Sequence, residues 1–538
     1  MPQLRSFLEM LKTHWWLGVL FAVIFVLRIP NFSEPYWYGD EAIYLTVGNG
    51  LKDGQILYRD IIDHKTPLIY YFAMVPNQWW FRLVLLGWML AATALFYEFS
   101  IKLLKSPWLS RVASLIFVLL TTLPWFEGHI PNGELFVIGF VMAGFYLLAQ
   151  ASYFSALISN TPPVQRKHDW ITLIAAGFFF GLGTLVKVPG VFDFAAAAFL
   201  LWLVAVQKLA SQKFSIQSLF SAAVHLLQPV LLLTLGWASS IALSAAYFAA
   251  VGAGADYLQY GLLYNFHYSG TWQHEFPLAW LNTVFTLPGK AGIAAVLLLA
   301  VSVPMLRLKP AFRFAAGWFA LSLFAALLSN RPYPHYFMQL VPSFSLLVVL
   351  MADALFTLRE NILKPTYPWS TVGMPLAMGT LLIGLSLSVL ILLGFRPYST
   401  AEYYSKYWKL ISGSLDQQSY SNSFHWLIAE NTQVTKTIHA LGEKSLFIWG
   451  TNPMLYAQSG TYPVGRFTVS FHIQDLKAYD ETMRSLRQAE PRLIVVMHDE
   501  HGEFPEFSEY LRENYMPNHQ LQHMTLYLRI QRTPEGKP

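Results

Sequence analysis

Two adjacent acids follow the first apolar segment of the chain. The sequence Tyr38-Gly39-Asp40-Glu41 comes shortly after the apolar run 15–30, so both carboxylates are expected just outside a membrane span. Such a pair can divide its work, one carboxylate accepting a proton from an attacking hydroxyl while the other orients it, or both can bind a hard cation. A solvated helix start explains the same pattern, because acids favour helix N-termini.

A lysine lies further along the same loop, in Asp63-His64-Lys65-Thr66-Pro67-Leu68. The proline begins a short apolar amphipathic run, 68–74, of the kind that can lie in the plane of the membrane interface. Lys65 would then sit at headgroup depth, where it would meet a lipid phosphate. A lysine that only anchors the run to the interface is the alternative.

Other polar residues are expected at the ends of later apolar runs. Glu134 follows a polar loop and either binds a ligand or serves as a charge at a helix N-terminus. Lys187 lies in a very short turn where a basic residue opposes the usual charge pattern of membrane proteins, which favours a functional role. Arg331, His335 and Tyr336 lie at the mouth of a further span, where an interfacial aromatic belt also accounts for the tyrosine.

The composition requires a bilayer to position these residues. Of the 538 residues, 55% are hydrophobic and 12% are charged, about half the charged share of a soluble protein. Runs of about 20 apolar residues can each cross a hydrocarbon core of about 30 Å as a helix. The eleven expected spans are 15–30, 79–101, 109–126, 135–154, 170–187, 190–207, 219–251, 289–306, 312–329, 336–357 and 372–394.

Loop charges predict the orientation. With the N-terminus in the cytoplasm, the loops on the cytoplasmic side are basic, as in Lys102, Lys105 and Arg111, which satisfies the positive-inside rule. The opposite loops, beginning with 31–78, are richer in acids, so we expect the active site on the extracytoplasmic face of the inner (plasma) membrane. The net charge of +5 lies in these short loops and gives no reason to expect nucleic acid. Cysteine is absent, which excludes disulfides and thiolate ligands.

The pattern changes after Phe395. Strand-like runs at 445–449 and 492–497 and a helical pattern at 473–488 predict a soluble α/β domain. The expected architecture is therefore an all-α polytopic membrane domain of about eleven transmembrane helices at 1–395, with its catalytic first external loop at 31–78. An extracytoplasmic α/β domain follows at 396–538.

The order of these motifs resembles the GT-C superfamily of membrane glycosyltransferases. The similarity is to the bacterial branch related to protein O-mannosyltransferases and the lipid A aminoarabinose transferase. It rests on motifs that occur in the family's order: Asp40-Glu41, Lys65-Thr66-Pro67-Leu68, Arg82, Glu134, Lys187-Val188-Pro189 and 331–342. The sequence departs from the aminoarabinose branch in having His64 before the lysine, and Arg331-Pro332-Tyr333-Pro334-His335-Tyr336 where that branch has a shorter motif. Both departures leave the transferred sugar open.

The resemblance implies a polyprenyl-phosphate-sugar donor and assigns roles to residues. Asp40 is implied as the catalytic base or a metal-binding carboxylate, and Glu41 assists it. Lys65 and Lys187 match positions that contact the lipid phosphate in the family. Independently of the resemblance, Arg331 is a third candidate phosphate contact, because it is expected at an external membrane edge. The other candidates, chosen from their residue types and positions, are sugar or acceptor contacts at His64, Glu134, His335 and Tyr336, and a divalent metal ion, if one is bound, at Asp40, Glu41 and Glu134. Cations at a partly dry interface would stabilise the departing phosphate.

The expected reaction transfers a sugar to a hydroxyl of a lipid-linked glycan, polysaccharide or protein, with inversion and Asp40 as base. Two other functions remain open at the level of sequence: a transporter or flippase of lipid-linked sugars, and a glycan polymerase that uses a lipid-diphosphate donor. A transporter would be expected to carry clustered ionisable residues near the middle of several spans.

Overall fold

Apolar runs that must satisfy their own backbone groups in lipid form the long helices of this protein. The computed structural model describes residues 2–530, except 162, 163, 165, 212, 214, 271, 273–275, 277, 307 and 362–368. In chain order, the helices up to residue 392 are α1 (Pro2–Arg28), α2 (Gly39–Lys52), α3 (Leu68–Phe72), α4 (Gln78–Leu104), α5 (Pro107–Leu120), α6 (Gly133–Leu148), α7 (Ser152–Ser159), α8 (Asp169–Val186), α9 (Val191–Ala210), α10 (Ile216–Ala250), α11 (Gly254–Asp256), α12 (Tyr264–Gly270), α13 (Ala279–Val284), α14 (Leu287–Ser302), α15 (Pro310–Ala326), α16 (Val341–Asn361) and α17 (Trp369–Leu392).

Each of the eleven predicted spans coincides with an apolar helix in the structure. Within the described residues, seven helices are long and apolar enough to cross a membrane, and eight if α6 and α7, bent by 78°, form one span. The remaining three, α5, α14 and α15, are apolar but shorter. The chain is thus a multi-pass membrane protein, and the predicted all-α membrane fold is confirmed.

One span ends earlier than predicted. The expected span 109–126 corresponds to α5, which ends at Leu120. Pro124 cannot continue a helix, and residues Pro124–Phe126 instead form a 3₁₀ turn in a polar loop that carries Glu127.

Glycines allow two of the membrane helices to approach closely. A β-carbon at Gly177 of α8 would overlap the carbonyl oxygen of Leu233, and one at Gly236 of α10 would overlap that of Ile174. Small residues at such crossings let helix backbones touch, which is how membrane helices gain packing energy without a hydrophobic effect between them.

The C-terminal part folds as α/β, as the alternating pattern predicts. Its helices are α18 (Thr400–Ile411), α19 (Gln417–Asn422), α20 (Ile428–Leu441), α21 (Pro453–Ser459), α22 (Ser470–Asp475), α23 (Tyr479–Ala489) and α24 (Pro505–Asn514), and its strands are β1 (Ser445–Trp449), β2 (Tyr462–Pro463), β3 (Leu493–Met497), β4 (Tyr515–Gln520) and β5 (Met524–Arg529). The sheet has the order β2-β1-β3-β5-β4. β1 is parallel to β2 and β3, whereas β5 is antiparallel to β3 and β4.

The chain forms two compact units that do not follow the order of the sequence. The first unit comprises Met1–Ile29, Leu85–Ser244 and Asn265–Thr400, and the second comprises Pro30–Val84, Ala245–Tyr264 and Ala401–Pro538. The second unit therefore includes both the first polar loop and the α/β part. Within it, the amide of Ile62 donates to the carbonyl of Arg466 at 2.7 Å, and Ile62 forms a parallel bridge with Phe467. The domain division at 395/396 stays a prediction.

The close approach of α8 and α10 gives a first testable prediction. Replacing Gly236 with Leu should destabilise the folded membrane protein by about 1–3 kcal/mol, the usual range for overpacking, because a side chain there meets backbone that cannot move aside. Gly87→Leu on α4 is the matched control, since a β-carbon at Gly87 meets nothing within 4 Å. Thermal unfolding in detergent measures both variants, and equal stability of the two would contradict the packing argument.

Candidate active site

The two adjacent acids lie in the first turn of α2, where negative charge is favoured by the helix N-terminus. The acidic helix start that was the alternative explanation of this pair is therefore present, but it is only partly solvated, because the two carboxylates differ sharply in environment. The side chain of Glu41 is 1% exposed and that of Asp40 is 27% exposed. The difference follows from their partners.

Glu41 is held by a buried arginine. Arg82 Nε donates to Oε1 at 2.9 Å and Nη2 donates to Oε2 at 2.8 Å, while the amide of Gln78 donates to Oε2 at 2.8 Å. A bidentate pair of this kind fixes geometry as well as charge. Removing either partner would leave an unpaired charge buried, which is costly, so the pair is kept together. Through this pair Arg82 fixes the position of Glu41 and of the first turn of α2.

A second carboxylate completes this network. Glu34 Oε2 lies 3.3 Å from Arg82 Nη2, and Glu34 also accepts hydrogen bonds from Trp37 at 2.7 Å and from the hydroxyl of Tyr403 in α18. Burial, opposed by the charge of Arg82, raises the pKa of Glu34. Through these contacts the start of the first polar loop is bonded to the beginning of α4 and to α18, which lies more than 300 residues later in the chain.

Asp40 faces a lysine instead. Lys65 Nζ lies 3.3 Å from Asp40 Oδ1, and the hydroxyl of Tyr44 donates to Asp40 Oδ2 at 3.3 Å. The ammonium also lies over the ring of Tyr44, 4.9 Å from its centroid. The structure thus brings together the predicted base and the predicted phosphate-binding cation, with the carboxylate partly accessible.

Lys65 itself is buried, and a further acid neutralises it. Asp63 Oδ2 lies 3.4 Å from Lys65 Nζ and accepts a hydrogen bond from Tyr70 at 2.7 Å. The hydroxyl of Tyr58 donates to the carbonyl of Lys65 at 2.7 Å. Burial alone would raise the pKa of Asp63, but Lys65, and then His64 and His472, bring it well below its ordinary value. Asp63 is therefore a permanent anion beside Lys65, a role that the sequence analysis did not assign.

His64 belongs to a buried cluster that could hold a metal ion. Its Nδ1 lies 3.1 Å from Asp63 Oδ1 and 3.1 Å from Nε2 of His472, and that Nε2 lies 3.7 Å from Asp63 Oδ1. Two imidazoles and a carboxylate suit Zn²⁺. Burial, partly offset by Asp63, lowers the pKa of His472 to about 3, so its ring is neutral, as a metal ligand must be. His472 lies 408 positions from His64, and no local sequence signal pointed to it.

The predicted residues Lys187, Glu134 and Tyr336 form a second group, in the first compact unit. Lys187 has an extended backbone between α8 and the 3₁₀ turn Val188–Gly190. Its Nζ pairs with Glu134 in the first turn of α6 and lies 4.4 Å from the ring centroid of Tyr336. His335, beside Tyr336, binds Glu127 Oε2 through Nδ1 at 2.6 Å. Four of the predicted residues thus meet here with Glu127, which the sequence analysis did not select.

Arg331 lies in a loop that a buried lysine fixes. Lys290 donates to the carbonyls of Leu327 and Leu328 at 2.6 and 3.1 Å, just after α15, and to Asn330 Oδ1 at 2.9 Å. A cation at a helix C-terminus complements the carbonyls left without helical partners. The guanidinium of Arg331 lies over the rings of Tyr268 and Trp272, 4.1 and 5.2 Å from their centroids.

The metal site predicted at Asp40, Glu41 and Glu134 stays a prediction. Glu134 belongs to the first compact unit, whereas Asp40 and Glu41 belong to the second. Within the residues that the structure describes, the ligating atoms that converge are those of Asp63, His64 and His472.

Comparison with known proteins gives a family match over part of the chain and a similar fold. Residues 52–252 match the model of the dolichyl-phosphate-mannose-protein mannosyltransferase family. This segment includes Lys65, Glu134 and Lys187, whereas Asp40 precedes it. No curated protein sequence matches the chain.

Solved structures extend the similarity over nearly the whole chain. ArnT from Cupriavidus metallidurans bound to undecaprenyl phosphate matches 96% of this chain and 98% of its own, with a TM-score of 0.52 and 13% identity. Its apo state matches equally, with a TM-score of 0.51. An oligosaccharyltransferase from Archaeoglobus fulgidus gives a TM-score of 0.40 and 13% identity over 90% of this chain and 68% of its own. The family segment and the ArnT fold confirm the predicted resemblance to GT-C glycosyltransferases.

The histidine cluster predicts metal binding. After chelation, reloading with Zn²⁺ and desalting, we expect the wild-type protein to retain about one zinc ion, because a buried N, N, O set offers three protein ligands. His472→Gln should retain less, and exposed His501→Gln should behave as wild type. Elemental analysis of the purified proteins measures this; retention that does not change in His472→Gln would show that the cluster is a hydrogen-bonded group without metal.

Proposed function

Since this chain contains a segment of the protein mannosyltransferase family and has the fold of ArnT, we propose that it is a glycosyltransferase that uses a polyprenyl-phosphate-linked sugar. The acceptor is a hydroxyl of a glycan, lipid or protein. The observation that carries the proposal is the pairing of a partly exposed carboxylate with a buried lysine, Asp40 with Lys65. That ArnT was solved with undecaprenyl phosphate supports a carrier of this chemical class.

In the proposed reaction the acceptor oxygen attacks the anomeric carbon as the bond from that carbon to the phosphate oxygen breaks. The bonding electron pair leaves with the phosphate, and Asp40 takes the hydroxyl proton. A single displacement of this kind inverts the anomeric configuration, through a transition state with oxocarbenium character. Lys65 stabilises the charge that grows on the departing phosphate, which is most effective from a preorganised cation in a partly dry site.

The present partners of Lys65 fit this sequence of events. One ammonium lies between two carboxylates, Asp40 and Asp63, so Asp63 remains as its counter-ion when a phosphate arrives. The added negative charge then disfavours the ionised form of Asp40, because like charges nearby raise the affinity of a carboxylate for a proton. Donor binding thereby makes Asp40 a stronger base.

Glu41 acts in this proposal as the residue that fixes the catalytic helix. Its ion pair with Arg82 sets the position of the first turn of α2, and so the direction of the Asp40 side chain. Lys187 and Arg331 are retained as donor-phosphate contacts. His64, Glu134 and Tyr336 are retained as sugar or acceptor contacts, and His335 as a contact to the sugar or to its phosphate. We propose that the protein lies in the inner (plasma) membrane with a cytoplasmic N-terminus and an extracytoplasmic active site.

Transport is the weaker candidate. The ionisable residue Asp193 lies on the membrane helix α9, where an ion or proton path would be expected. Its carboxylate accepts hydrogen bonds from Trp318 at 2.7 Å and Gln339 at 2.6 Å, which supports a structural role. A reconstituted protein that moved labelled lipid-linked sugar across vesicles without forming a glycosidic bond would favour transport.

The base assignment is tested by Asp40→Asn, which keeps the shape of the side chain but cannot accept the proton. Purified protein is incubated with a panel of polyprenyl-phosphate sugars, with and without chelator, and with a lipid-diphosphate sugar as a separate arm. Released carrier phosphate and transferred sugar are measured. We expect a loss of about 100-fold or more in transfer rate for Asp40→Asn, since general base catalysis contributes about 10²–10⁴-fold.

Asp53→Asn, an exposed acid at the end of the same helix, is the matched control and should retain wild-type activity. A folded Asp40→Asn protein with normal transfer would remove Asp40 from the role of base. Wild-type protein that released no carrier phosphate from any donor of the panel would remove the proposed function itself.

A further inference from the structure

A buried arginine holds the loop between α5 and α6 in one shape. Arg28, at the end of α1, donates through Nη2 to the carbonyls of Thr121 at 2.9 Å and Gly128 at 2.7 Å. A β-carbon at Gly128 would press into the backbone at Thr121 and Thr122, so the loop is packed against itself at this point. All of these residues lie in the first compact unit.

Within this loop, Glu127 adopts a backbone conformation that a glutamate rarely takes. Its φ is 62°, in the left-handed region, and the residue caps the 3₁₀ turn Pro124–Phe126. Backbone strain of this kind costs about 1–3 kcal/mol and persists where surrounding structure enforces it, often at functional sites. In this backbone conformation the carboxylate points into the protein, and the Glu127 side chain is 4% exposed.

The carboxylate of Glu127 ends at the ring of His335. Oε2 lies 2.6 Å from Nδ1, and the amide of Asn132 donates to the same oxygen at 3.3 Å. The ring of His335 also stacks on that of Tyr333, with centroids 5.7 Å apart and planes at 9°. The plane and the Nδ1 side of the imidazole are thus both fixed.

The fixed imidazole lies beside a residue already assigned to the donor. The rings of His335 and Tyr336 have centroids 4.8 Å apart, and Lys187 Nζ lies 4.4 Å from the centroid of Tyr336. The four ionisable side chains here, Glu127, Glu134, Lys187 and His335, are between 4% and 14% exposed. The carboxylate of Glu127 favours the charged imidazolium form of His335, in which both ring nitrogens can donate a hydrogen bond.

We propose that Glu127 is a positioning residue: it accepts the Nδ1–H of His335 and so directs the Nε2–H of that ring at an anionic oxygen of the donor phosphate. The hydrogen bond at one ring nitrogen determines what the other presents to a ligand. Glu127 does not touch the donor and acts through His335. This inference rests on the proposed function, because it takes the donor to be a polyprenyl-phosphate sugar.

A double-mutant cycle tests the proposal. The variants are Glu127→Gln, His335→Gln and both together, with Glu127→Asp as the conservative replacement and Glu402→Gln, 62% exposed, as the control. The affinity of the detergent-solubilised protein for undecaprenyl phosphate is titrated in an excess of phosphatidylglycerol, with inorganic phosphate as a second arm. Donor KM and kcat are measured in parallel.

We expect Glu127→Gln and His335→Gln each to weaken carrier binding and raise donor KM by about 10–100-fold, the usual loss for a charge-assisted hydrogen bond. The double variant should bind no more weakly than His335→Gln, and Glu127→Asp should recover part of the loss. Inorganic phosphate should show the same order of variants at lower affinity. Glu402→Gln should match wild type.

Additive losses in the double variant, or wild-type affinity in Glu127→Gln, would overturn the proposal. If Glu127→Gln does not fold, the cycle is run with Glu127→Asp. Its smaller loss should then not add to that of His335→Gln, and additive losses would overturn the proposal. The proposed function can fail independently of this proposal. If the wild-type protein binds carrier phosphate through Glu127 and His335 but transfers no sugar, the positioning role stands and the transferase function is rejected. If the wild-type protein transfers sugar and Glu127→Gln binds the carrier as wild type does, the transferase function stands and the positioning role is rejected.

Discussion

A single buried ammonium between two carboxylates organises the candidate active site. Lys65 cannot be buried without neutralisation, because an isolated charge in a dry environment is costly. Asp63, ionised and held by Tyr70, supplies that neutralisation from within the same loop. Asp40 can therefore remain partly exposed at the other side of the ammonium.

The surroundings of this lysine are assembled from distant parts of the chain. Arg466, in the α/β part, donates to the carbonyl of Tyr58 at 3.3 Å, to Asp256 at 3.0 Å and to Glu481 at 2.8 Å. It thereby joins the first polar loop and the segment after α10 to helix α23 of the α/β part. His472 follows on α22 and reaches Asp63 and His64. The α/β part is thus a structural component of the candidate site.

In the first compact unit, too, polar residues from distant parts of the chain are brought together, here by membrane helices. Its polar group lies at the ends of helices: Glu134 in the first turn of α6, Lys187 at the end of α8 and His335 before α16. Asp193 and Gln339 stabilise this arrangement, since Gln339 donates both to the Asp193 carboxylate and to the carbonyl of Pro189 in the turn that follows Lys187. Apolar helices supply rigidity, and a few buried polar contacts set the position of each helix end.

Much of the fold was determined by the sequence alone. Long apolar runs have one stable backbone structure in lipid, so the eleven helices and the change to an α/β part after residue 395 could be predicted. Strand β1 was equally local and was found where predicted, and the acids at 40 and 41 begin a helix, which the sequence offered as one of two explanations. The motif order also indicated the GT-C resemblance, which the family segment and the ArnT fold confirm.

The tertiary structure decided which of these residues share an environment. Asp40 and Glu41 are neighbours of nearly identical chemistry, and only the burial of Arg82 against one of them distinguishes the accessible acid from the structural one. His472 and Glu127 carry no local signal, because their partners lie 408 and 208 positions away. Periodicity records which face of a helix is buried; it does not record which distant side chain meets a given charge, since that depends on packing between segments far apart in the chain.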